Sequence, residues 1–352
     1  MTTNGRQILK KVLIAATAAI AMFTVGAGES RAGAILDAVK ARGTLKCGVG
    51  SGTPGFMFPD SAGVWNGFNV SVCRAVAVAI FNNASKVEFI PLTNVQRFPA
   101  LQASEVDMLS NNTTWTLSRD TQLGFNFGPT VFYDGQGMMV NKKMNLTSAK
   151  QLDGATVCVQ PGTTTELNLA DYFRENNMKF QAVVIENAAE VRNAFFSGRC
   201  DVYTNDSSTL AADRTVAPAA NGGPDAFVIL PERVSKEPLA PVVRHGDDQF
   251  YDIVSWTVYA LIEAEEMGIT SVNVDSFLTS TNPSIRRFLG VEPGMGAALG
   301  VDARYAYNII KAVGNYGQIF EAFLGTGSPI KLSRGQNATW KNGGLLYSPP
   351  AR

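Results

Sequence analysis

Residues 111–118 include two amide and four hydroxyl side chains, and one arginine, Arg119, follows them. A guanidinium group binds both oxygens of a carboxylate at once. Hydroxyl groups, or free backbone N–H groups at the start of a helix, supply further donors to an anion. This combination of residue types after a strand-like stretch therefore indicates a binding site for a carboxylate.

A related arrangement with the opposite charge occurs about a hundred residues later. Residues 201–206 repeat the register of residues 107–112, because polar residues follow an aspartate by four and five positions in both segments. The first copy leads to Arg119 and the second ends at Asp206, so together they suit a zwitterion. The alternative is that Arg119 is a surface helix residue and that Asp206 caps the helix containing Ser207.

The N-terminal segment has the composition of a secretory signal peptide. Three basic residues precede an uncharged apolar run at residues 12–25, and the small residues Ser30 and Ala32 follow at candidate cleavage positions. Fourteen apolar residues are fewer than the roughly 20 that a membrane span needs. We therefore expect residues 1–32 to be removed on export; the alternative is an uncleaved N-terminal anchor.

Composition excludes several classes of partner. The chain is 45% hydrophobic and 17% charged, enough apolar material for substantial cores. Loss of residues 1–32 would leave 26 basic and 29 acidic residues, and no Lys/Arg cluster forms a stripe, so we expect no nucleic-acid partner. The chain has one histidine, His245, and no CxxC pair, so we expect no metal and no cofactor.

The chain contains four cysteines, Cys47, Cys73, Cys158 and Cys200. In an exported protein four cysteines suggest two disulfides, for which three pairings exist. The internal repetition favours Cys47 with Cys73 and Cys158 with Cys200, because each pair then lies within one half. Free buried thiols are the alternative.

Short apolar strands alternate with helical patterns, which is typical of α/β layers over a largely parallel sheet. The order strand, helix, strand, helix, strand occurs twice, so the sequence predicts two similar lobes. Glycine- and aromatic-rich residues 127–137 and the segment 231–243 are candidate connections between them. Two crossings make the first lobe discontinuous, with residues 33–135 and 244–352, while residues 136–243 form the second.

The sequence resembles the bacterial extracellular solute-binding proteins of polar amino-acid ABC transporters (family 3), especially the general L-amino-acid binding proteins. The likeness covers essentially the whole mature chain, and residues 134–136 resemble the family's first hinge. One departure is Asn111-Asn112, where many members have Ala-Gly or Ser-Ser. The matching motifs are Thr114-x-Thr116-x-x-Arg119, the Gly162-Thr163-Thr164 turn, and Asp206.

The resemblance implies a type II periplasmic-binding fold, in which two Rossmann-like lobes are joined by a two-segment hinge. It also implies a monomer in the periplasm that captures L-amino acids between closing lobes and delivers them to membrane permease subunits. Such a protein is not an enzyme. The same fold also occurs in exported dehydratase-like enzymes acting on small carboxylates and in ligand-sensing modules of membrane receptors, and these remain the alternatives.

The resemblance further assigns roles to residues. Arg119 would bind the α-carboxylate, assisted by Thr114 and by the backbone N–H of Thr163 or Thr164. Asp206 would accept hydrogen bonds from the α-ammonium, together with Asn112. The residues that select the ligand side chain stay unassigned. For Arg97 two alternatives remain: it binds an acidic ligand side chain, or it lies in solvent.

Overall fold

The computed structural model describes residues 33–292 and 294–352. The predicted signal peptide, residues 1–32, lies outside the described residues. Within the described ranges, no helix combines the length and the apolar character needed to cross a bilayer.

The structure contains two five-stranded sheets, and we number the strands in chain order. The first sheet has the spatial order β4 (Val87–Leu92), β1 (Leu45–Gly50), β5 (Met108–Leu109), β14 (Val242–Arg244) and β6 (Phe125–Phe127). The second has the order β10 (Phe180–Val184), β9 (Ala155–Val159), β11 (Val202–Asp206), β8 (Gln136–Asn141) and β12 (Phe227–Ile229).

Both sheets follow the same pairing rule. Three strands run parallel, β4-β1-β5 in one sheet and β10-β9-β11 in the other. The fourth strand in each, β14 or β8, pairs antiparallel with both of its neighbours. The predicted α/β class and two-lobed arrangement are therefore confirmed, whereas the residue limits proposed for the lobes stay a prediction.

Helices cover these sheets. They are α1 (Ala34–Arg42), α2 (Phe68–Phe81), α3 (Arg97–Gln102), α4 (Thr164–Glu175), α5 (Ala188–Phe196), α6 (Ser207–Arg214), α7 (Asp248–Glu266), α8 (Val274–Phe277), α9 (Pro283–Phe288), α10 (Met295–Leu299), α11 (Tyr305–Val313) and α12 (Tyr316–Phe323). Short 3-10 turns occupy Lys142–Met144, Ala149–Gln151, Ala219–Asn221, Pro224–Ala226, Gly335–Asn337 and Trp340–Asn342.

Alternation along the strands explains how the second sheet is buried on both faces. Val157 and Val159 of β9 pack in one apolar cluster with Phe173 of α4, whereas Cys158 enters another with Phe195 of α5. Successive strand residues point to opposite faces, so a strand between two helical layers is apolar wherever both faces are covered. This is why residues 157–159 of β9 form a continuous apolar run.

A small two-stranded sheet joins the two lobes. Its strands are β7 (Phe132–Asp134) and β13 (Glu237–Leu239), which pair antiparallel. The remaining two-stranded sheet, β2 (Phe58–Pro59) with β3 (Trp65–Asn66), is a local hairpin in the first lobe. In the first of the predicted connections, Phe132 packs edge-on against Phe56 and Phe68, which anchors β7 to the first lobe.

The C-terminal segment packs on the first lobe and also reaches the hinge. Helices α11 and α12 contact α2 and α7. The Asn337 side chain accepts from the Tyr133 N–H at 2.7 Å and donates to its carbonyl oxygen at 3.1 Å. Tyr316 donates its hydroxyl to the Val131 carbonyl at 2.8 Å. The segment therefore holds the outer edge of β7, a role that its sequence did not indicate.

Three helix boundaries differ from what the apolar pattern predicts. That pattern predicts helices over residues 167–176, 252–266 and 305–323. Helix α4 instead begins at Thr164 and α7 at Asp248, because Thr163 and Asp247 each accept a backbone N–H as N-caps. The helical pattern over 305–323 is two helices. It breaks at Gly314, whose φ of 85° favours glycine, and restarts with Asn315 as a capping box.

The cysteines form the pairings within each half. Cys47 of β1 is bonded to Cys73 of α2, and Cys158 of β9 is bonded to Cys200 before β11. Each disulfide thus links a strand to a neighbouring element of its own lobe. Neither connects the two lobes, so neither restrains movement of one lobe against the other.

Replacing Cys47 and Cys73 together by alanine should lower the free energy of unfolding by about 3 to 4 kcal/mol. The bond spans 26 residues, and opening it restores chain entropy to the unfolded state. The Cys158–Cys200 bond spans 42 residues and its removal should cost slightly more. Denaturant titration measures both, and unchanged unfolding free energies in both double variants would contradict a stabilising role.

Candidate functional site

A cavity of about 60 Å³ lies between the two sheets. Its walls include residues that follow the carboxyl ends of β1, β4, β9 and β11, which is where open α/β sheets bind ligands. Five of the six predicted site residues line it: Asn112, Thr114, Thr163, Thr164 and Asp206. Arg119 is not part of the lining.

Arg119 lies next to Thr114 in a single turn of π-helix, Ser118–Gln122. Its side chain is buried, and Nη1 donates to the Thr114 carbonyl oxygen at 2.9 Å. Burial lowers the pKa of Arg119, while the negative charges of Glu237 and Asp206 act in the opposite direction. The alternative of a surface helix residue is therefore wrong.

Asp206 ends β11 and occupies the N-cap position of α6, but its side chain makes no capping hydrogen bond. The Ser208 N–H donates instead to Asp134 of the hinge strand β7, at 3.2 Å. Among the described residues, no hydrogen bond reaches the Asp206 carboxylate, although it is 6% exposed. The helix-cap alternative is wrong, and Asp206 is left facing the cavity.

The lack of hydrogen-bond partners and the burial of Asp206 affect its pKa. Burial raises its pKa well above the usual value, and the neighbouring Asp134 and Glu237 raise it further. Arg97 and Arg119 lower that pKa. A cation placed in the cavity would favour the ionised form of Asp206 in the same way.

The start of α4 presents free donors to the cavity. Thr163 caps the helix by accepting from the Glu166 N–H at 3.0 Å, and its hydroxyl donates to the Gln160 carbonyl oxygen. The backbone N–H groups of Thr164 and Thr165 have no partner in the described part of the chain. Such N–H groups carry partial positive charge and bind anions.

Glu237 is a site residue that the sequence analysis missed. It lies in the hinge strand β13, and its Oε2 accepts from the hydroxyls of Thr114 in the first lobe and Thr164 in the second, the latter at 2.8 Å. Its Oε1 accepts from Asn168 Nδ2 at 2.9 Å. Since each hydroxyl has one proton, both threonine hydroxyls are left with lone pairs for a ligand.

Asn112 adopts a left-handed backbone conformation, with φ of 54°, which asparagine tolerates better than most residues. Asn69 Nδ2 donates to Asn112 Oδ1 at 2.7 Å, and Asn112 Nδ2 donates to Thr209 Oγ1 at 3.3 Å. The side-chain amide is thus occupied by protein partners. The backbone carbonyl oxygen of Asn112 accepts no hydrogen bond from the described residues, so the main chain is the part of Asn112 that is open to a ligand.

Polar contacts close the cleft above the cavity. Thr93 of the first lobe donates to Glu186 of the second at 2.6 Å. Arg192 of α5 donates to the Gly52 carbonyl oxygen at 2.8 Å. These bonds join loops that follow β4 and β1 to the opposite lobe, so the structure is a closed form.

The site has no features of a metal centre in the described ranges. No group of three or more His, Cys, Asp or Glu side chains there is arranged to hold a metal ion. The charged groups around the cavity are arginines and carboxylates, which suit hydrogen bonding to an ionic organic molecule.

Comparison with known proteins adds independent findings. The model of the bacterial extracellular solute-binding proteins, family 3, matches residues 45–270. The general L-amino acid-binding periplasmic protein AapJ of Rhizobium johnstonii is 53% identical, covering 98% of this chain and 100% of that protein. The glutamate/glutamine/aspartate/asparagine-binding protein BztA of Rhodobacter capsulatus is 51% identical, with 98% and 100% coverage.

A solved structure is also similar. It is an ABC transporter periplasmic binding protein from Brucella ovis with glutathione bound, 52% identical, with a TM-score of 0.87. The match covers 90% of this chain and 99% of that one. The two-lobed periplasmic-binding architecture predicted from the sequence is therefore confirmed.

Exchange of Asp134 for asparagine should change how stability depends on pH. Burial raises the pKa of Asp134 to about 6, above its unfolded value of about 3.9, so between these values the folded state binds more protons. Unfolding free energy should therefore fall as pH rises from about 4 to 6, by about 1.4 kcal/mol for each unit of pKa difference. In Asp134→Asn this slope should be smaller.

Denaturant titrations at closely spaced pH values measure the effect. Asp171→Asn is the matched control, since the Asp171 side chain is 56% exposed. Identical pH slopes in the wild type and Asp134→Asn would show that Asp134 titrates normally.

Proposed function

The chain belongs to the bacterial extracellular solute-binding proteins of family 3, and from that premise we propose that it captures L-amino acids in the periplasm and delivers them to the permease of an ABC transporter. Two lobes closing on the ligand perform the capture.

The observation that carries the proposal is the Asp206 carboxylate, which is buried at the cavity and accepts no hydrogen bond from the described residues, while the charges of Arg97 and Arg119 act on it. Burying an unpaired charge is costly, so such a group indicates a ligand of opposite charge. The Asp206 carboxylate binds the α-ammonium, and the Asn112 carbonyl oxygen accepts a second of its protons. The Thr114 and Thr164 hydroxyls donate their protons to Glu237, so Thr114 offers the ligand an acceptor lone pair rather than the donor expected beside Arg119.

The α-carboxylate binds to Arg119 and to the free N–H groups at the start of α4. Only one hydrogen bond from the Arg119 guanidinium goes to a described protein partner, so the group keeps donors for a ligand. Arg119 does not line the cavity, so its guanidinium must move relative to Thr114, whose carbonyl oxygen it contacts, to reach a ligand there. Thr163 supports this end by capping α4 rather than by its own hydroxyl.

Lobe closure follows from the division of these partners. Asn112, Thr114 and Arg119 belong to the first lobe, whereas Thr163, Thr164 and Asp206 belong to the second. A ligand shifts an open–closed equilibrium only through its differential affinity for the two forms, and this ligand meets all its partners in the closed form alone. The closed surface is then the form that membrane permease subunits bind.

Relatives named as periplasmic binding proteins support export, and residues 1–32 supply the signal peptide for it. They also support a binding protein rather than an enzyme, because AapJ and BztA are both named for binding. The similar Brucella ovis structure has glutathione bound, which supports a ligand built from amino acids.

Isothermal titration calorimetry with the common L-amino acids tests the proposal, and the decisive variant is Arg119→Ala. The wild type should bind at least one amino acid, and loss of the charged hydrogen bonds in Arg119→Ala should weaken binding at least about 100-fold. Arg174→Ala is the matched control, since that side chain is 76% exposed. Full affinity in Arg119→Ala would disprove the carboxylate assignment, and turnover of the ligand by the wild type would disprove pure binding.

Asp206→Asn separates recognition of the ammonium from general damage to the site. Affinity for amino acids should fall by about 10- to 100-fold, because a charged hydrogen bond contributes about 1.5 to 3 kcal/mol. Analogues that lack the α-amino group should bind the variant no more weakly than the wild type. Equal losses for both kinds of ligand, with Asp171→Asn as control, would contradict the assignment.

A further inference from the structure

Arg97 is a buried cation with no hydrogen-bond or ion-pair partner among the residues that the structure describes. It is 3% exposed, begins α3 and lines the cavity. Its Nε is buried without any acceptor, and neither a hydrogen bond nor an ion pair in the described part of the chain involves its side chain. Five N–H donors are thus left for whatever fills the cavity.

A second arginine increases the need for an anion near Arg97. The guanidinium carbons of Arg97 and Arg119 lie 5.0 and 5.1 Å from the same Phe98 ring centroid, so they are at most about 10 Å apart. Burial and then the charge of Arg119 lower the pKa of Arg97 to about 9, while Asp206 and Glu237 act in the opposite direction. Two like charges enclosed at this distance are stabilised by anionic groups placed beside each of them.

The protein's own carboxylates do not supply those groups by contact. Glu237 is committed to Thr114, Thr164, Asn168 and Ser235, and Asp134 to backbone N–H groups of Gly135 and Ser208. Asp206 is the remaining acid at the cavity, and in the proposed function it binds the ligand ammonium. The site therefore has two cations and one anion available to a ligand.

We propose that Arg97 binds the side-chain carboxylate of the ligand, which makes dicarboxylic L-amino acids the preferred substrate class. This rests on the proposed function, in which Arg119 and Asp206 hold the α-carboxylate and the α-ammonium. A ligand with two carboxylates and one ammonium matches the three available charges.

Neutral amino acids fit less well for a physical reason. A carboxylate accepts two parallel hydrogen bonds from a guanidinium, whereas a carboxamide offers one acceptor oxygen and places its N–H groups against donors. An aliphatic side chain leaves Arg97 buried and unpaired. The predicted order of affinity is therefore dicarboxylic, then carboxamide, then aliphatic.

The test compares L-glutamate, L-glutamine and L-leucine by calorimetry in the wild type, Arg97→Met, Arg97→Lys and the exposed control Arg174→Met. Methionine keeps an unbranched side chain as far as the position of Arg97 Nε and removes the charge. Arg97→Met should weaken glutamate binding by about 10- to 100-fold and change leucine binding by less than about threefold, as loss of one charged hydrogen-bond pair predicts. Arg97→Lys should retain part of the preference for glutamate over glutamine.

The outcomes distinguish failure of the Arg97 proposal from failure of the proposed function. A wild type that binds no amino acid would overturn the proposed function itself. A wild type that binds leucine as well as glutamate, or equal losses for all three ligands in Arg97→Met with an unchanged melting temperature, would leave the proposed function standing and overturn the role of Arg97. Loss confined to glutamate, with Arg174→Met unchanged, would support it.

Discussion

The closed cleft encloses charged side chains that have no hydrogen-bond or ion-pair partner among the described residues, and ligand binding depends on them. Ionised groups buried in a protein cost several kcal/mol each unless they are paired and hydrogen-bonded. The closed cleft nevertheless encloses Asp206 and Arg97 with no such partner among the described residues. The closed form is therefore incomplete by itself, and a ligand that supplies the missing charges makes closure favourable. Ligand capture and lobe closure are then one thermodynamic event rather than two.

The hinge does more than connect the lobes. Asp134 and Glu237 lie opposite each other in the paired strands β7 and β13. Asp134 satisfies the start of α6, a position where Asp206 would otherwise be needed, and Glu237 takes the hydroxyl protons of one threonine from each lobe. Both hinge acids thereby leave other groups free for the ligand. The C-terminal segment, most of which lies beyond the region matched by the family model, fixes the same hinge through Asn337.

Much of this arrangement can be predicted from the sequence. The features that could not be predicted depend on contacts between residues far apart in the chain or on helix caps. The α/β class, the repeated strand order and the motif residues follow from local patterns of apolar and polar residues. Glu237 and Asn337 are different, since their partners lie 123 and 204 residues away in the chain and no local spacing marks them. Arg97 was visible as a residue but ambiguous, because burial of a single cation depends on how both lobes fold around it. Helix starts at Thr164 and Asp248 were misplaced because caps, not apolar periodicity, set them.

A crystal structure of the protein with a bound L-amino acid tests the central claim most directly. The account predicts that one ligand spans the cleft, with its α-carboxylate within hydrogen-bonding distance of Arg119 and its α-ammonium within hydrogen-bonding distance of Asp206. A ligand held at both ends by a single lobe, or with its ammonium away from Asp206, would contradict it.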